Sequence, residues 1–510
     1  MDIRYAVGQR IMAGLPGTEI DGAFAALVRE HKIGNVILFR RNIESRAQLT
    51  RLCRELRQLI AAETGAEPLI AIDQEGGVVT RLSDDMVNTP GAMALAAAGG
   101  DAPYRAGLIT ARELRSCGVN FNLAPVLDVN SNPANPVIGV RSFGDEPERA
   151  AALALEFMRG TLEGGVLACG KHFPGHGDTA VDSHLGLPVV EKDRQALEAC
   201  ELRPFRRAVA AGIPAVMTSH VLFPQIETAR VPATMSRRIL TGLLREELGF
   251  GGLIVSDCME MQAIARFYGT VEGAAASLTA GADIVCISHT AALAARLAER
   301  LCAEAAAGAR TQEELDASLG RIAAAKCRLA GWQGLPAAPE ADAREAQALL
   351  AASFTLVRGP LPELGERPLF VGSAPVRVNL ASSHVRQTPA FPDYMAGRLG
   401  GRALRTSDEP EAEEIAQAVR AAGECSSIVL GTCNAHLKPG QMALMQALGG
   451  LGKPMAVAAL RNPYDLLRLP EGAAGIAVWE YTARSLEALA PFLRGGCCFA
   501  GRMPLASAGL

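Results

Sequence analysis

The chain has 510 residues, of which 49% are hydrophobic and 20% charged. This composition is that of a globular protein with enough apolar material for two or three domains, and it excludes disorder, collagen-like repeats and coiled coils. The 50 basic and 54 acidic residues give a formal net charge of −4, which excludes a strongly basic nucleic-acid-binding surface.

Short apolar runs alternate with amphipathic stretches over the first two thirds of the chain. Continuous apolar runs are typical of parallel strands buried on both faces, and stretches such as residues 20–31, 198–211 and 291–306 are typical of helices. About eight βα units over roughly 330 residues favour an α/β fold built on a TIM-like (β/α)8 barrel. The predicted strands are residues 11–13, 35–39, 69–72, 121–124, 167–171, 215–218, 253–256 and 284–287.

Polar clusters follow these strands directly, at residues 73–77, 171–172, 219–220, 257 and 288–289. In a barrel of this kind the active site forms at the carboxyl ends of the strands. A doubly wound sheet would instead gather its polar residues at one switch point. The recurrence of polar residues around the whole series therefore favours the barrel and places its active site.

A segment rich in Gly, Pro and Ala, residues 331–340, marks a domain boundary. We predict a catalytic barrel over residues 1–330, a linker over 331–342 and a smaller α/β sandwich over 343–510. In this last part, strands are predicted at residues 369–371, 427–430, 455–460 and 474–478, and helices at 343–353 and 411–422. No catalytic cluster is evident there, since His384 and His436 stand isolated.

The loop after the fifth strand, KHFPGHGDTAVDSHLGLP, is the densest group of titratable residues in the chain. It contains Lys171, His172, His176, Asp178, Asp182 and His184. Loops of this kind, with glycines and no helical periodicity, often carry function. Two interpretations stay open: a metal site made of His and Asp, or acid/base chemistry by a His–carboxylate pair, with Asp182 two residues before His184.

A carboxylate also follows the seventh strand, in GLIVSDCMEMQA. Asp257 there could attack an electrophilic carbon, although capping of a following helix explains the spacing equally well. Asp73 follows the third strand in the same way, with a turn residue as its alternative. The cations Arg81, Arg141 and Lys171 lie beside strand ends and could bind hydroxyls or a carboxylate of a substrate.

Together these motifs resemble the family 3 glycoside hydrolases of bacteria, in particular the two-domain β-N-acetylglucosaminidases. IAIDQEGG, NPVIGVRSFGDEP, KHFPGHGDTAVDSH and IVSDCMEM match in order and spacing, and ALRNPYDL at residues 459–466 resembles the second domain. The resemblance implies Asp257 as nucleophile, His184 as general acid/base and Asp182 as its partner. It implies sugar binding by Asp73, Arg81, Arg141, Lys171 and His172. Cys258 departs from the Asp or Ala more familiar at that position.

The resemblance further implies a retaining mechanism without metal or other cofactor, acting on N-acetylglucosamine linked to muramic or anhydromuramic acid in peptidoglycan fragments. Three alternatives stay open: phosphorolysis through the same intermediate, a metal-dependent hydrolase and a non-catalytic sugar-binding protein. The role of the second unit also stays open between completing the active-site rim, binding cell-wall material and acting as a scaffold. We expect a small soluble substrate, no nucleic-acid or membrane partner, and a monomer in preference to an oligomer. With no signal peptide or apolar run of about 18 residues visible, and 12 dilute cysteines, a cytoplasmic location is expected.

Overall fold

The computed structural model describes residues 2–180, 186–308, 312–330, 334–379, 381–383 and 388–506. Asp182 and His184, the predicted acid/base pair, lie outside these described residues, and so does His384. Every other residue singled out from the sequence is described.

Eight parallel strands close into a barrel in chain order, with β8 hydrogen-bonded to β1. All eight predicted strands are present, which confirms the TIM-like fold. Their apolar side chains fill the barrel interior, as expected for strands buried on both faces. The strands are β1 (Ile11–Gly14), β2 (Asn35–Leu38), β3 (Leu69–Ile72), β4 (Phe121–Asn122), β5 (Leu167–Phe173), β6 (Ala215–Thr218), β7 (Leu253–Cys258) and β8 (Ile284–Ile287).

Helices surround the barrel and connect its strands. Several begin at a side-chain cap that satisfies a free backbone N–H: Asp21 accepts from Phe24, and Asp193 accepts from Ala196. A π-type helix, Arg238–Glu247, joins β6 to β7. The helices are α1 (Ile3–Gly8), α2 (Gly22–His31), α3 (Arg46–Thr64), α4 (Ala92–Ala98), α5 (Ala102–Ser116), α6 (Pro147–Glu163), α7 (Arg194–Ala199), α8 (Leu202–Ala210), α9 (Gln262–Ala265), α10 (Thr270–Ala280), α11 (Ala291–Ala306) and α12 (Gln312–Ala330).

The second α/β unit is built on a six-stranded sheet in the order β11-β10-β12-β13-β14-β9. Five strands are parallel and the edge strand β9 is antiparallel, with helices on both faces, which confirms the predicted sandwich. Its elements are α13 (Pro339–Ser353), β9 (Thr355–Arg358), β10 (Pro368–Ser373), α14 (Phe391–Leu399), β11 (Arg402–Thr406), α15 (Ala412–Gly423), β12 (Ser427–Thr432), α16 (Pro439–Gly449), β13 (Met455–Ala459), β14 (Ala474–Ala477) and α17 (Ala483–Leu493).

Three local expectations differ from the structure. The helix predicted from residue 343 begins at Pro339, inside the predicted linker, because Pro is favoured in a first helical turn. The single helix predicted over residues 198–211 is two helices, α7 and α8, and Pro204 lies in the first turn of α8, where its missing N–H costs nothing. Strands β9 and β11 were not predicted. The division into residues 1–330, 331–342 and 343–510 stays a prediction.

The barrel and the sandwich share one hydrophobic cluster. Met93, Ala94 and Val140 of the barrel pack in the same cluster as Tyr464 and Trp479 of the sandwich. The two units are therefore packed together along the side of the barrel that carries the loop after β4. None of the described helices is long and apolar enough to cross a bilayer.

Candidate active site

A cavity of about 520 Å³ opens at the carboxyl ends of the barrel strands. All six described residues that the sequence singled out for a role in the site line this cavity, although they are spread over 185 positions of the chain. Such convergence at this rim is typical of the active sites of TIM-like barrels. The six residues are Asp73, Arg81, Arg141, Lys171, His172 and Asp257.

A buried network of charges forms one wall of the cavity around Glu75. The ammonium of Lys171 donates to Asp73 Oδ1 at 2.8 Å and lies 2.6 Å from Glu75 Oε1. Arg141 donates from Nε and Nη2 to the two oxygens of Glu75, both at 2.8 Å. Such paired hydrogen bonds between a guanidinium and a carboxylate fix orientation as well as charge. Arg141 and Lys171 are therefore held rigidly at the cavity wall.

Burial alone would favour the neutral form of each member of this network. For Glu75, the charges and hydrogen bonds of Arg141 and Lys171 outweigh burial and hold the pKa of the carboxyl well below its usual range. For Lys171, the same balance raises the pKa of the ammonium, since Asp73 and Glu75 lie beside it. Glu75 and Lys171 are therefore both ionised at neutral pH. Glu75 was not predicted as a site residue, although it stands two residues after Asp73 in IAIDQEGG.

His172 is oriented by a buried carboxylate that the sequence analysis also missed. His172 Nδ1 lies 2.6 Å from Asp128 Oδ2, and the backbone N–H of His176 donates to Asp128 Oδ1 at 2.7 Å. Arg141 Nη2 lies 3.4 Å from His172 Nε2. Because a guanidinium nitrogen only donates hydrogen bonds, Nε2 of a neutral His172 must be the acceptor, and the ring proton is on Nδ1. Burial would raise the pKa of Asp128, but the two histidines lower it.

Asp257 stands at the carboxyl end of β7, partly exposed to the cavity. Its Oδ1 accepts a 2.7 Å hydrogen bond from the backbone N–H of Cys258, which fixes the carboxylate orientation. The next helix, α9, begins only at Gln262, with Met261 at its cap position. The helix-cap alternative for Asp257 is therefore wrong, and its carboxylate lines the cavity.

The thiol of Cys258 lines the same cavity and stays protonated. Burial, followed by the charge of Asp257 among other causes, raises its pKa to about 12. A neutral thiol is a poor nucleophile and a poor metal ligand. Among the described residues, no group of three or more His, Cys, Asp or Glu side chains could hold a metal ion.

The sandwich contributes the part of the rim that lies farthest in sequence from the barrel residues. Arg377, Ala381, Ser382 and Ser383 line the cavity. The guanidinium of Arg81 donates from both terminal nitrogens to the carbonyl oxygen of Ala381, at 3.1 Å each. The second unit therefore completes the rim, one of the three roles left open by the sequence, and helps to orient Arg81.

Comparison with known proteins identifies the family. Residues 5–325 match the model of the glycosyl hydrolase family 3 N terminal domain. The chain belongs to glycosyl hydrolase family 3. The family that the sequence motifs resemble is thereby confirmed, and with it the prediction of a glycoside hydrolase.

Individual relatives show which proteins this chain is similar to. The chain is 37% identical over 337 residues to beta-hexosaminidase A of Pseudoalteromonas piscicida, a match that covers 61% of this chain but spans only 56% of that protein's length. A family 3 β-N-acetylglucosaminidase from Paenibacillus sp. str. FPU-7 superposes with a TM-score of 0.91 and 38% identity over 99% of both chains. NagZ from Neisseria gonorrhoeae in complex with N-trifluoroacetyl-D-glucosamine superposes with a TM-score of 0.52 and 34% identity, over 63% of this chain and 97% of that one.

Proposed function

We propose that this protein is a retaining exo-β-N-acetylglucosaminidase that removes terminal N-acetylglucosamine from peptidoglycan fragments. The observation that carries the proposal is the position of Asp257, whose oriented carboxylate shares a cavity with the hydrogen-bonded wall of Asp73, Arg141 and Lys171. The names of the three relatives support the sugar, since each is described as a hexosaminidase or carries an acylated glucosamine.

In the first step, Asp257 attacks the anomeric carbon C1 and forms a covalent glycosyl-enzyme, while His184 gives a proton to the departing oxygen. In the second step, His184 takes a proton from water, the water oxygen bonds to C1, and the bond to Asp257 breaks. Asp73, Arg81, Arg141, Lys171 and His172 hold the sugar hydroxyls. Because their partners fix these groups, sugar binding needs little reorganisation.

The acid/base role of His184 with Asp182 comes from the sequence, because both residues lie outside the described part of the chain. An imidazole has a physical advantage at this position. A second carboxylate near Asp257 would oppose the negative charge that returns to Asp257 as the intermediate breaks down. A neutral imidazole, with a pKa near neutrality when unperturbed, can transfer the proton without that repulsion.

The proposal also specifies the substrate and the cellular compartment. All twelve cysteines are free thiols, as is typical of proteins in a reducing compartment. The free thiols support the further proposal that the reaction takes place in the cytoplasm, on soluble disaccharide or muropeptide fragments. Hydrolysis of N-acetylglucosaminyl-β-1,4-N-acetylmuramic acid by the purified protein, with release of both sugars, is the result expected.

The catalytic assignment is tested with an aryl N-acetyl-β-glucosaminide. Asp257→Ala should lose nearly all turnover, and His184→Ala should lose much of its rate, but less with a good leaving group that needs no proton. Asp101→Ala, at an exposed carboxylate, serves as the matched control and should keep wild-type turnover. A 2-fluoro-glycosyl label found by mass spectrometry on any residue other than Asp257 would overturn the nucleophile assignment.

Phosphorolysis through the same intermediate is a second candidate. Arg40, Arg41 and Arg377 line the cavity, and cations at a cavity mouth favour the approach of an anion. Turnover measured with and without inorganic phosphate distinguishes phosphorolysis from hydrolysis. Phosphate-dependent release of N-acetylglucosamine 1-phosphate identifies a phosphorylase, and release of the free sugar at an unchanged rate identifies a hydrolase.

A further inference from the structure

A second cavity, of about 720 Å³, lies between the barrel and the sandwich. Its barrel side is lined by residues of the loop after β3, among them Thr80 and Asn88, and its sandwich side includes Thr388 and Arg461. It shares three lining residues with the candidate active-site cavity, namely Arg40, Ser382 and Ser383. The two cavities are therefore neighbours, and the proposed catalytic scheme uses only the first.

Arg461 is the distinctive residue of this second cavity. Only 7% of its surface is exposed, and its Nη2 donates a 2.9 Å hydrogen bond to Ser382 Oγ. Among the described residues, no carboxylate lies within ion-pair distance of its guanidinium, and no other side-chain hydrogen bond is formed. Arg484, on the same cavity, differs in this respect because Glu480 neutralises it, with Nε 2.8 Å from Oε1.

A buried cation without a counter-ion is costly, because desolvation of the charge is not repaid by an opposite charge. Burial, with a contribution from the nearby charge of Arg141, lowers the pKa of Arg461 to about 10, so the guanidinium nevertheless stays charged at neutral pH. Cys433 also lines the cavity, but burial raises the pKa of its thiol to about 11, so it supplies no negative charge. The positive charge of Arg461 is therefore available to an anionic ligand.

We propose that the interdomain cavity binds a carboxylate-bearing ligand, and that Arg461 anchors its carboxylate. A guanidinium presents its N–H groups in a planar fork that matches the two oxygens of a carboxylate. Gln347 and Thr388 line the same cavity and offer polar partners for the rest of the ligand. A volume of this size accommodates a small organic molecule of the size of a sugar acid or a short peptide.

The carboxylate has two possible sources with the same chemistry. It is carried either by a free acid or by the leaving group of a substrate whose sugar occupies the neighbouring cavity. The second source rests on the proposed function, because it requires a bound N-acetylglucosaminide. Because Ser382 and Ser383 line both cavities, a free acid and the leaving group of a bound substrate can each reach Arg461. The experiments below distinguish these two sources.

Binding is measured first, by calorimetry on the full-length protein with N-acetylmuramic acid as probe. N-acetylglucosamine, which lacks the carboxylate, is the matched ligand. Loss of a charge-assisted hydrogen-bond pair should weaken binding of N-acetylmuramic acid about ten- to hundredfold in Arg461→Met, with binding of N-acetylglucosamine unchanged. Arg420→Met, which removes the same charge from an exposed helix position, should bind both sugars as the wild type does.

Two outcomes overturn the proposal: equal affinity of Arg461→Met and wild type for N-acetylmuramic acid, or failure of the wild type to bind N-acetylmuramic acid. Because Arg461→Met replaces a buried group, its thermal unfolding is recorded without ligand. If this variant does not fold, Arg461→Lys replaces it in the titration. The lysine keeps the charge but loses the planar fork, and we expect about tenfold weaker binding; unchanged affinity overturns the proposal.

Kinetics then separates the two sources. The KM of wild type and Arg461→Met is compared for two disaccharides, N-acetylglucosaminyl-β-1,4-N-acetylmuramic acid and its neutral counterpart N,N′-diacetylchitobiose. A KM raised about tenfold for the acidic disaccharide alone assigns the carboxylate to the leaving group, and an unchanged KM for both, with calorimetric binding lost, assigns it to a free acid. Absence of hydrolysis of both disaccharides by the wild type contradicts the proposed function, while the calorimetric result still decides the carboxylate site.

Discussion

The side-chain oxygen of Asn462, in the sandwich, accepts a 2.9 Å hydrogen bond from the backbone N–H of Val140, in the barrel. Val140 directly precedes Arg141 in the turn Gly139–Arg141. Gly139 has a φ of +46°, and a Cβ atom there would meet Asn462 Oδ1 at 2.4 Å. The turn that presents Arg141 to the cavity is thus held by close contact with the second unit.

Asn462 should therefore act as a positioning residue for Arg141. In Asn462→Ala the turn loses its acceptor, Arg141 is held less precisely, and kcat/KM for an aryl N-acetyl-β-glucosaminide should fall about tenfold. The loss should appear mainly in KM, because Arg141 is proposed to bind the sugar. Asn462→Asp keeps an acceptor oxygen and should recover most of the activity. Equal kcat/KM in Asn462→Ala and wild type would contradict the positioning role.

Glu75 should be essential to the ionised wall of the cavity. Glu75→Gln leaves Arg141 and Lys171 without their shared negative charge, and breaking a buried ion pair in this way costs about 3 kcal/mol of stability. Urea denaturation at pH 7 measures the loss. Glu413→Gln, at an exposed carboxylate that pairs with Arg420 on the surface, is the matched control and should unfold at the wild-type midpoint. Equal midpoints for Glu75→Gln and Glu413→Gln would show that the wall contributes nothing to stability.

The sequence predicted the barrel well because its strands are continuous apolar runs. Every strand from β1 to β8 begins within one residue of its predicted start. Strands β9 and β11 escaped prediction because they are partly exposed, and Arg residues interrupt β11. Their apolar content is too low to distinguish them from loops.

The sequence indicates which residues that directly follow strands line the cavity, but it does not indicate the residues brought in by tertiary contacts. Asp128 holds His172 from 44 positions away, and no local pattern distinguishes it from a turn residue. Arg377 enters the cavity from a different unit altogether. His436 was interpreted as isolated, but its Nδ1 lies 2.7 Å from Asp465 Oδ1, 29 positions later. Pairings of this kind are set by the fold and leave no spacing in the sequence.

His176 should make stability depend on pH between about 4 and 6.5. Burial, together with the charge of His172, lowers its pKa from 6.5 to about 4; Asp128 acts in the opposite direction and Arg141 in the same one. Below pH 6.5 His176 becomes protonated in the unfolded chain, whereas in the folded protein it stays neutral down to about pH 4. The stability of the folded protein therefore falls as the pH falls through this window. The difference amounts to about 2 kcal/mol at pH 5.

Urea denaturation at pH 7 and pH 5 measures this effect against His176→Asn, which cannot titrate but offers a polar side chain to Thr179, the partner of His176 Nδ1 at 2.8 Å. The wild type should lose about 2 kcal/mol more than the variant between the two pH values. Parallel losses in both proteins would show that His176 is not the group responsible.

Cys258 should be dispensable in spite of its position beside Asp257. The hydrogen bonds that residue 258 makes to Asp257 and His220 come from the backbone: its N–H donates to Asp257, and its carbonyl oxygen accepts from His220 Nε2 at 2.9 Å. Cys258→Ala preserves both, so turnover of an aryl N-acetyl-β-glucosaminide should stay within about twofold of wild type.

The thiol of Cys258, with its pKa raised to about 12, should also resist iodoacetamide at pH 7.5, where the exposed Cys327, Cys497 and Cys498 are alkylated first. Mass spectrometry locates the label, and inactivation that coincides with alkylation of Cys258 would show that this thiol is ionised and close to the reacting atoms.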